Sequence, residues 1–222
     1  QAALDADGIK TTQAGNLNRR FVDNMLDAME WEPGFAEAVR NVRKAPNEQH
    51  VRPLHILRLL LQGARLLRKA KGTFSVTNRG RRLLAESEAG KLYAALFKTM
   101  FRKLNLAYVD WLPDDPEMQI TVAFSLFMID RHADEWIDKD ELARKVLLPE
   151  SSADARISLL RQFRLWAVRS RLLEPLWLFG LLELRQVESE TAVPDSIEVR
   201  KTGLYEKFLQ FHLQDAQPPS HA

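Results

Sequence analysis

The chain has 222 residues and a mass of 25.5 kDa, and its 45% apolar and 28% charged residues are the proportions of a packed globular protein, not of a disordered one. With no cysteine it holds no disulfide scaffold, thiolate zinc site, iron–sulfur cluster or cysteine nucleophile, and its five histidines are scattered. The net charge of +2 hides a division: residues 1–105 carry 19 Lys and Arg against 10 Asp and Glu, a net of +9, and residues 106–222 carry 13 against 20, a net of −7.

The longest apolar stretch, Ile120 to Ile129, is interrupted by Thr121 and Ser125 and falls well short of the ~20 residues that span a bilayer. No basic region followed by an apolar run opens the chain, so no membrane partner and a cytoplasmic location are expected. A first residue of Gln1 rather than Met reads as the start of part of a longer chain.

Residues 1–11 are small and polar and read as a flexible lead-in. A first helix is predicted from an N-cap near Asn16, with Leu17, Phe21, Met25 and Met29 four apart. Trp31-Glu32-Pro33-Gly34 breaks it, and Phe35, Ala38, Val39 and Val42 sketch a second. Pro53 suits the first turn of a third, running through Leu54, Leu57, Leu60 and Leu61 to Gly63. The period then changes to short β-prone runs, Leu66 to Lys69 and Thr73 to Thr77, joined by Lys69-Ala70-Lys71-Gly72 as a small hairpin. Thr77-Asn78-Arg79-Gly80 leads into a helix with Leu83 and Leu84. A long helix follows through Leu92, Leu96, Phe97, Met100 and Leu104.

Trp111-Leu112-Pro113-Asp114-Asp115-Pro116 is the clearest break and predicts the domain boundary. The next helix, Ile120 to Ile129, is apolar on most sides and is expected to lie buried between the halves. Asp138 to Glu141 reads as a capping box, and Ser151 and Ser152 as caps of a longer helix. A second hairpin is predicted around Leu181-Leu182 and Ile197-x-Val199, before a last helix with Tyr205 and Phe208. Aligning Gly63 with Gly180 and Gly80 with Gly203 gives a degenerate internal repeat.

Three helices, a two-stranded hairpin and a further helix is the order of a winged-helix domain, and Gly63 to Leu84, GARLLRKAKGTFSVTNRGRRLL, resembles the end of one. The expectation is therefore a mainly α protein of two tandem winged-helix-like units: 1–11 lead-in, 12–112 basic unit, 113–216 acidic unit, 217–222 tail. More narrowly, TQAGNLNRRFVDNML, NEQHVRPLHILRLLLQGARLLRKAKGTFSVTNRG and LYAALFKTMFRKLNLAYVD resemble the helical C-terminal region of bacterial plasmid open-reading-frame-three-like proteins, some carried by transposons. The resemblance departs at Asn18, where that group has Pro, and it carries no defined biochemistry.

Between Gln49 and Ala85 stand Arg52, Arg58, Arg65, Arg68, Lys69, Lys71, Arg79, Arg81 and Arg82, with no acidic residue. An ordinary surface mixes both signs, so this run points to a polyanion. On the third helix Arg52, His55, Arg58 and Gln62 share a face, as side chains reading bases in a DNA major groove do. Arg68, Lys69 and Lys71 on the hairpin, with Arg79, Arg81 and Arg82 after it, fit phosphate contacts. The alternative is an interaction or oligomerisation scaffold, docking a second copy or another protein. Its arginines would pair with acids of the second half, among Asp110, Asp114, Asp115 and Glu117, or Asp134, Glu135, Asp138 and Asp140. Glu183, Glu188, Glu190, Asp195 and Glu198 make the second hairpin repellent to phosphate.

No enzyme, cofactor or metal is expected. His132 and Glu135 have ligand spacing but no HExxH pattern, Asp114-Asp115 diverge in a turn, and no GxSxG, GxxxxGK[ST] or GxGxxG occurs. The five tryptophans are dispersed and read as core or inter-domain plugs.

Overall fold

A computed structural model describes residues 8–110, 112–148, 157–187 and 196–212. The chain is mainly helical, with two small antiparallel sheets, and divides between Leu104 and Asn105 into two compact units.

The first unit runs β1 (Ile9–Lys10), α1 (Arg19–Ala28), α2 (Phe35–Val42), a 3-10 turn (Glu48–His50), α3 (Arg52–Gly63), β2 (Leu67–Ala70), β3 (Thr73–Val76), α4 (Asn78–Leu83) and α5 (Ala89–Arg102). α1 starts two residues later than expected: Asn18, not Asn16, is the N-cap, its Oδ1 accepting the Phe21 N–H at 3.0 Å. Asn18 is also where the plasmid-protein resemblance departs, and a proline there would carry no such side-chain acceptor. α3 begins at Arg52 with Pro53 in its first turn and buries Leu54, Ile56 and Leu60. β2 and β3 meet through Lys71 (φ +48) and Gly72 (φ +72), a two-residue turn with both φ values positive, which suits the strand twist.

The lead-in expectation fails at its last residues. Ile9 and Lys10 pair with Phe74 and Thr73, Thr11 N–H donates to the Gly72 carbonyl, and the sheet order is β1-β3-β2. Ile9, Leu17, Val22, Leu26, Val51, Leu54, Leu67 and Phe74 form its core.

The second unit runs α6 (Pro116–His132), β4 (Ile137–Asp138), α7 (Lys139–Lys145), α8 (Ile157–Val168), a π-helical turn (Arg169–Leu173), α9 (Glu174–Leu178), β5 (Leu182–Val187), β6 (Ser196–Lys201) and α10 (Gly203–Phe208). The expected boundary at Pro113 is displaced because the segment before it belongs here. Leu106 and Val109 are buried, and Asp110 accepts Arg171 Nε and Nη2 at 2.9 and 2.7 Å. Arg171, 1% exposed, also donates to the carbonyls of Leu112 and Pro113. α6 is not enclosed: Met118, Val122, Ser125, Leu126 and Ile129 are buried, but Ile120 is 81% exposed. Asp138 caps α7 by accepting from Asp140 and Glu141 N–H groups. Trp111, Ser151, Ser152, Glu188, Glu190, Asp195 and the 217–222 tail lie outside the described residues.

The two hairpins are bonded alike. Ala64, Arg65 and Leu66 N–H groups donate to the carbonyls of Leu60, Gln62 and Leu61; Phe179, Gly180 and Leu181 donate to those of Pro175, Trp177 and Leu176. Thr77 N–H and Thr202 N–H reach Leu66 O and Leu181 O, both at 3.0 Å. Their hydroxyls reach Arg65 O at 2.9 Å and Gly180 O at 2.8 Å. Ile9 faces Phe74 as Ile137 faces Val199. The matching register differs from the sequence alignment: Gly180 corresponds to Arg65, Gly203 to Asn78, and Tyr205 to Gly80.

Candidate nucleic-acid interface

The expected reading face of α3 is an internal network. Glu48, fully buried, accepts the Leu17 N–H on Oε2, and its Oε1 lies 2.7 Å from Arg58 Nε and 2.6 Å from His55 Nδ1. Arg58 Nη1 donates to the Gln62 side-chain oxygen, and the guanidinium lies 5.8 Å from the Phe74 ring centroid. A carboxylate only accepts, so His55 Nδ1 carries the proton toward Glu48, and the 3.3 Å approach of Arg58 Nη2 to that nitrogen joins two donors. Burial opposes ionisation of Glu48, but the bonds from His55, Leu17 and Arg58 outweigh it and hold the carboxyl below its usual range.

Three of the four predicted base-reading residues are therefore occupied. They do share a face, as the spacing requires, but that face is turned to Glu48. Arg58 is 8% exposed and cannot read guanine in this arrangement. Arg52 is half-buried at the start of α3. The counter-charge missing from residues 49–85 stands at position 48, and it comes from the first unit. Five of the eight proposed acidic partners in the second half instead hold cations of their own unit: Asp110 binds Arg171, Asp115 and Glu117 bind Arg164, Asp134 binds Lys201 and Asp140 binds Arg169.

The remaining cations are outside. Arg65, Arg68, Lys69, Lys71, Arg79, Arg81 and Arg82 are all exposed, and among the described residues none forms an ion pair with a carboxylate. Residues paired across a sheet share a face. Arg68 pairs with Ser75, and Lys10 with Thr73, so both point away from the face of Phe74 and Ile9. Lys69 pairs with Phe74 but projects past the core, its ammonium lying where a Gly15 side chain would stand. Lys71 occupies the tip. At the other end of β3, roughly 10 Å away at ~3.4 Å per residue, Thr77 ties the backbone of Arg65 to the start of α4, which carries Arg79, Arg81 and Arg82. Two cation groups thus flank one strand.

Lys10 and Glu48 were missed in the sequence. Lys10 stands on a two-residue strand with no pattern of its own. Glu48 does leave a trace, since it precedes His55 and Arg58 by seven and ten residues, a helical spacing that the 3-10 turn at 48–50 nearly continues.

The described residues of the second hairpin present no such surface. Arg185 pairs with Glu198 and Arg200 with Glu183, and both guanidinium groups stack on Trp136, 4.3 and 4.7 Å from its ring centroid.

Residues 1–89, from the lead-in through α4, match a family described as Y4jL N-terminal domain. Over 82 residues the chain is 34% identical to the "Uncharacterized protein y4jL" of Sinorhizobium fredii (strain NBRC 101917 / NGR234). That alignment covers 37% of this chain and 37% of the relative, so the chain spans little more than a third of the protein it matches. No solved structure matches. No helix among the described residues is long and apolar enough to cross a membrane.

Proposed function

We propose that the chain is a non-enzymatic tandem winged-helix module that grips duplex DNA by its phosphates through the β2–β3 hairpin and α4. The observation that carries this reading is the set of exposed cations without carboxylate partners among the described residues at both ends of β3: Arg68, Lys69 and Lys71 near the tip, Arg65, Arg79, Arg81 and Arg82 near the base.

The winged-helix part draws support from topology. In the second unit the order α6, β4, α7, α8 to α9, β5, β6 is helix, strand, helix, helix, hairpin, with sheet order β4-β6-β5. The first unit repeats the sheet as β1-β3-β2. Base reading by α3 has no place in the proposal, because His55 and Arg58 are held by Glu48 and Gln62 by Arg58. Contacts to phosphate fix position without reading sequence, so binding is expected to tolerate any duplex. A protein-interaction scaffold is the second reading, favoured by an apolar groove of about 350 Å³ in the first unit, lined among others by Leu57, Leu61, Leu84 and Leu92.

Anisotropy of a fluorescein-labelled duplex separates surface cations from buried ones. Lys71→Glu with Arg68→Glu is expected to weaken binding at least tenfold in a chain that still folds. Equal affinity of that variant and the parent, or no binding at low salt, overturns the proposal.

A further inference from the structure

The two sheets differ at their outer edges. β5 is the last strand of the order β4-β6-β5, and Glu183, Leu184, Arg185 and Gln186 lie exposed in a row along it. Lys201 N–H donates to the Ala133 carbonyl, on the β4 side, and Thr202 N–H to the Leu181 carbonyl, on the β5 side. Hydrogen bonding alternates along an antiparallel strand, so Glu183–Arg200 and Arg185–Glu198 are the bonded pairs. Leu182 and Leu184 therefore turn their N–H and C=O groups to the outer edge, where no strand pairs among the described residues. The usual guards of a free edge are missing from Leu182–Val187: it matches β6 in six consecutive positions, with no proline, lysine or bulge. β2, the corresponding edge of the first sheet, is guarded by charge. Antiparallel pairing of β2 with a second copy, centred on Arg68 or Lys69, sets that cation against its own counterpart.

The β5 pattern is instead self-complementary. Centred on Leu184, antiparallel pairing with a second copy brings Leu184 against Leu184 and sets Glu183 against Arg185 in both directions. Centring on Glu183 or on Arg185 opposes like charges, so the sequence LELRQV selects one register. Leu184 lies on the face of Val199, which is fully buried, and is itself 37% exposed, so a leucine pair extends the apolar face across the joint. On the other face, Glu183 and Arg185 keep 47% and 49% side-chain exposure while paired with Arg200 and Glu198, which leaves each room for a second partner. Arg185 leans over Trp136 and reaches outward by rotation of its own side chain.

We infer that β5 is the contact edge of a homodimer: two copies of the chain join β5 to β5, antiparallel and centred on Leu184, so that the two three-stranded sheets become one. Arg200 and Glu183, then Arg185 and Glu198 of the second copy, alternate in sign across the joined sheet. The joint lies within the second unit, so a duplex short enough to seat one chain is bound alike by monomer and dimer.

Sedimentation velocity of the full chain over a concentration series reads the association. The parent is expected to pass from the 25.5 kDa monomer toward twice that mass. Glu183→Arg sets cations against cations and Arg185→Glu sets acids against acids, and each is expected to weaken association at least tenfold. An equimolar mixture of these two variants associates again, because opposite signs then face each other. Each variant breaks one exposed ion pair, which contributes little to folding, and circular dichroism checks the fold. Leu184→Pro is a further variant: the N–H it removes points to the outer edge, so the fold stays and association is lost. A parent that stays monomeric up to about 0.5 mM overturns the inference and leaves the edge to a strand of another protein. It is equally overturned if the folded variants associate like the parent, or if the mixture of the two charge variants stays monomeric.

Discussion

Glu48 shows what one residue does to the meaning of a helix face. Arg58 without it is a surface cation suited to nucleic acid; with it, Arg58 is a tie between α3 and the segment at Leu17. Breaking a buried pair leaves the other charge uncompensated, so Glu48→Ala is expected to cost about 3–5 kcal/mol in urea unfolding. The double variant Glu48→Met, Arg58→Met, which removes both charges, is expected to cost far less, and equal losses for the two would contradict the network. The pH dependence has a definite sign. A carboxyl held below its usual value in the folded state stabilises above the unfolded value, about 4.5, and that stabilisation is lost as pH falls through the lower folded value. Acid unfolding of the parent should therefore steepen below about pH 4.5, and Glu48→Gln should lose that component.

At the scale of elements, the repeated hairpin makes an internal comparison possible. The residue entering each hairpin has a positive φ, +59° at Arg65 and +69° at Gly180. An L side chain there costs roughly 1–2 kcal/mol. Arg65→Gly is accordingly expected to raise the thermal midpoint while lowering DNA affinity, and Gly180→Arg to lower the midpoint. A destabilised Arg65→Gly variant would mean that the arginine is held by its surroundings rather than offered to a ligand.

Much of this level was legible in the sequence. Pro53, the leucines to Gly63 and the change to Phe74-x-Val76 mark α3 and its hairpin because each signal is local. The strands β1 and β4 were not, since two residues have no periodicity and form only where β3 or β6 offers an edge. The register of the repeat was misread for a related reason: glycines were matched to glycines. The backbone requirement at Arg65 and Gly180 is the same whether glycine meets it or not. The π-helical turn at Arg169–Leu173 carries Arg171, whose partner Asp110 lies some sixty residues earlier and leaves no local signal.

For the whole molecule, the charge division is sharper than the composition implies. Among the described residues, Asp110, Asp115, Asp134, Glu183 and Glu198 of the second unit pair with that unit's own Arg171, Arg164, Lys201, Arg200 and Arg185, while the first unit neutralises Arg58 internally and leaves its hairpin and α4 cations facing solvent. The proposed DNA contact therefore belongs to the first unit alone, and Arg185→Glu in the second is expected to leave duplex affinity unchanged. The most direct measurement is the dependence of duplex affinity on salt. If four to seven of these cations meet phosphates, log K should fall against log salt with a slope of about −4 to −6, and Lys71→Glu should make it shallower by about one. A slope near zero, or one that Lys71→Glu does not alter, would contradict the account.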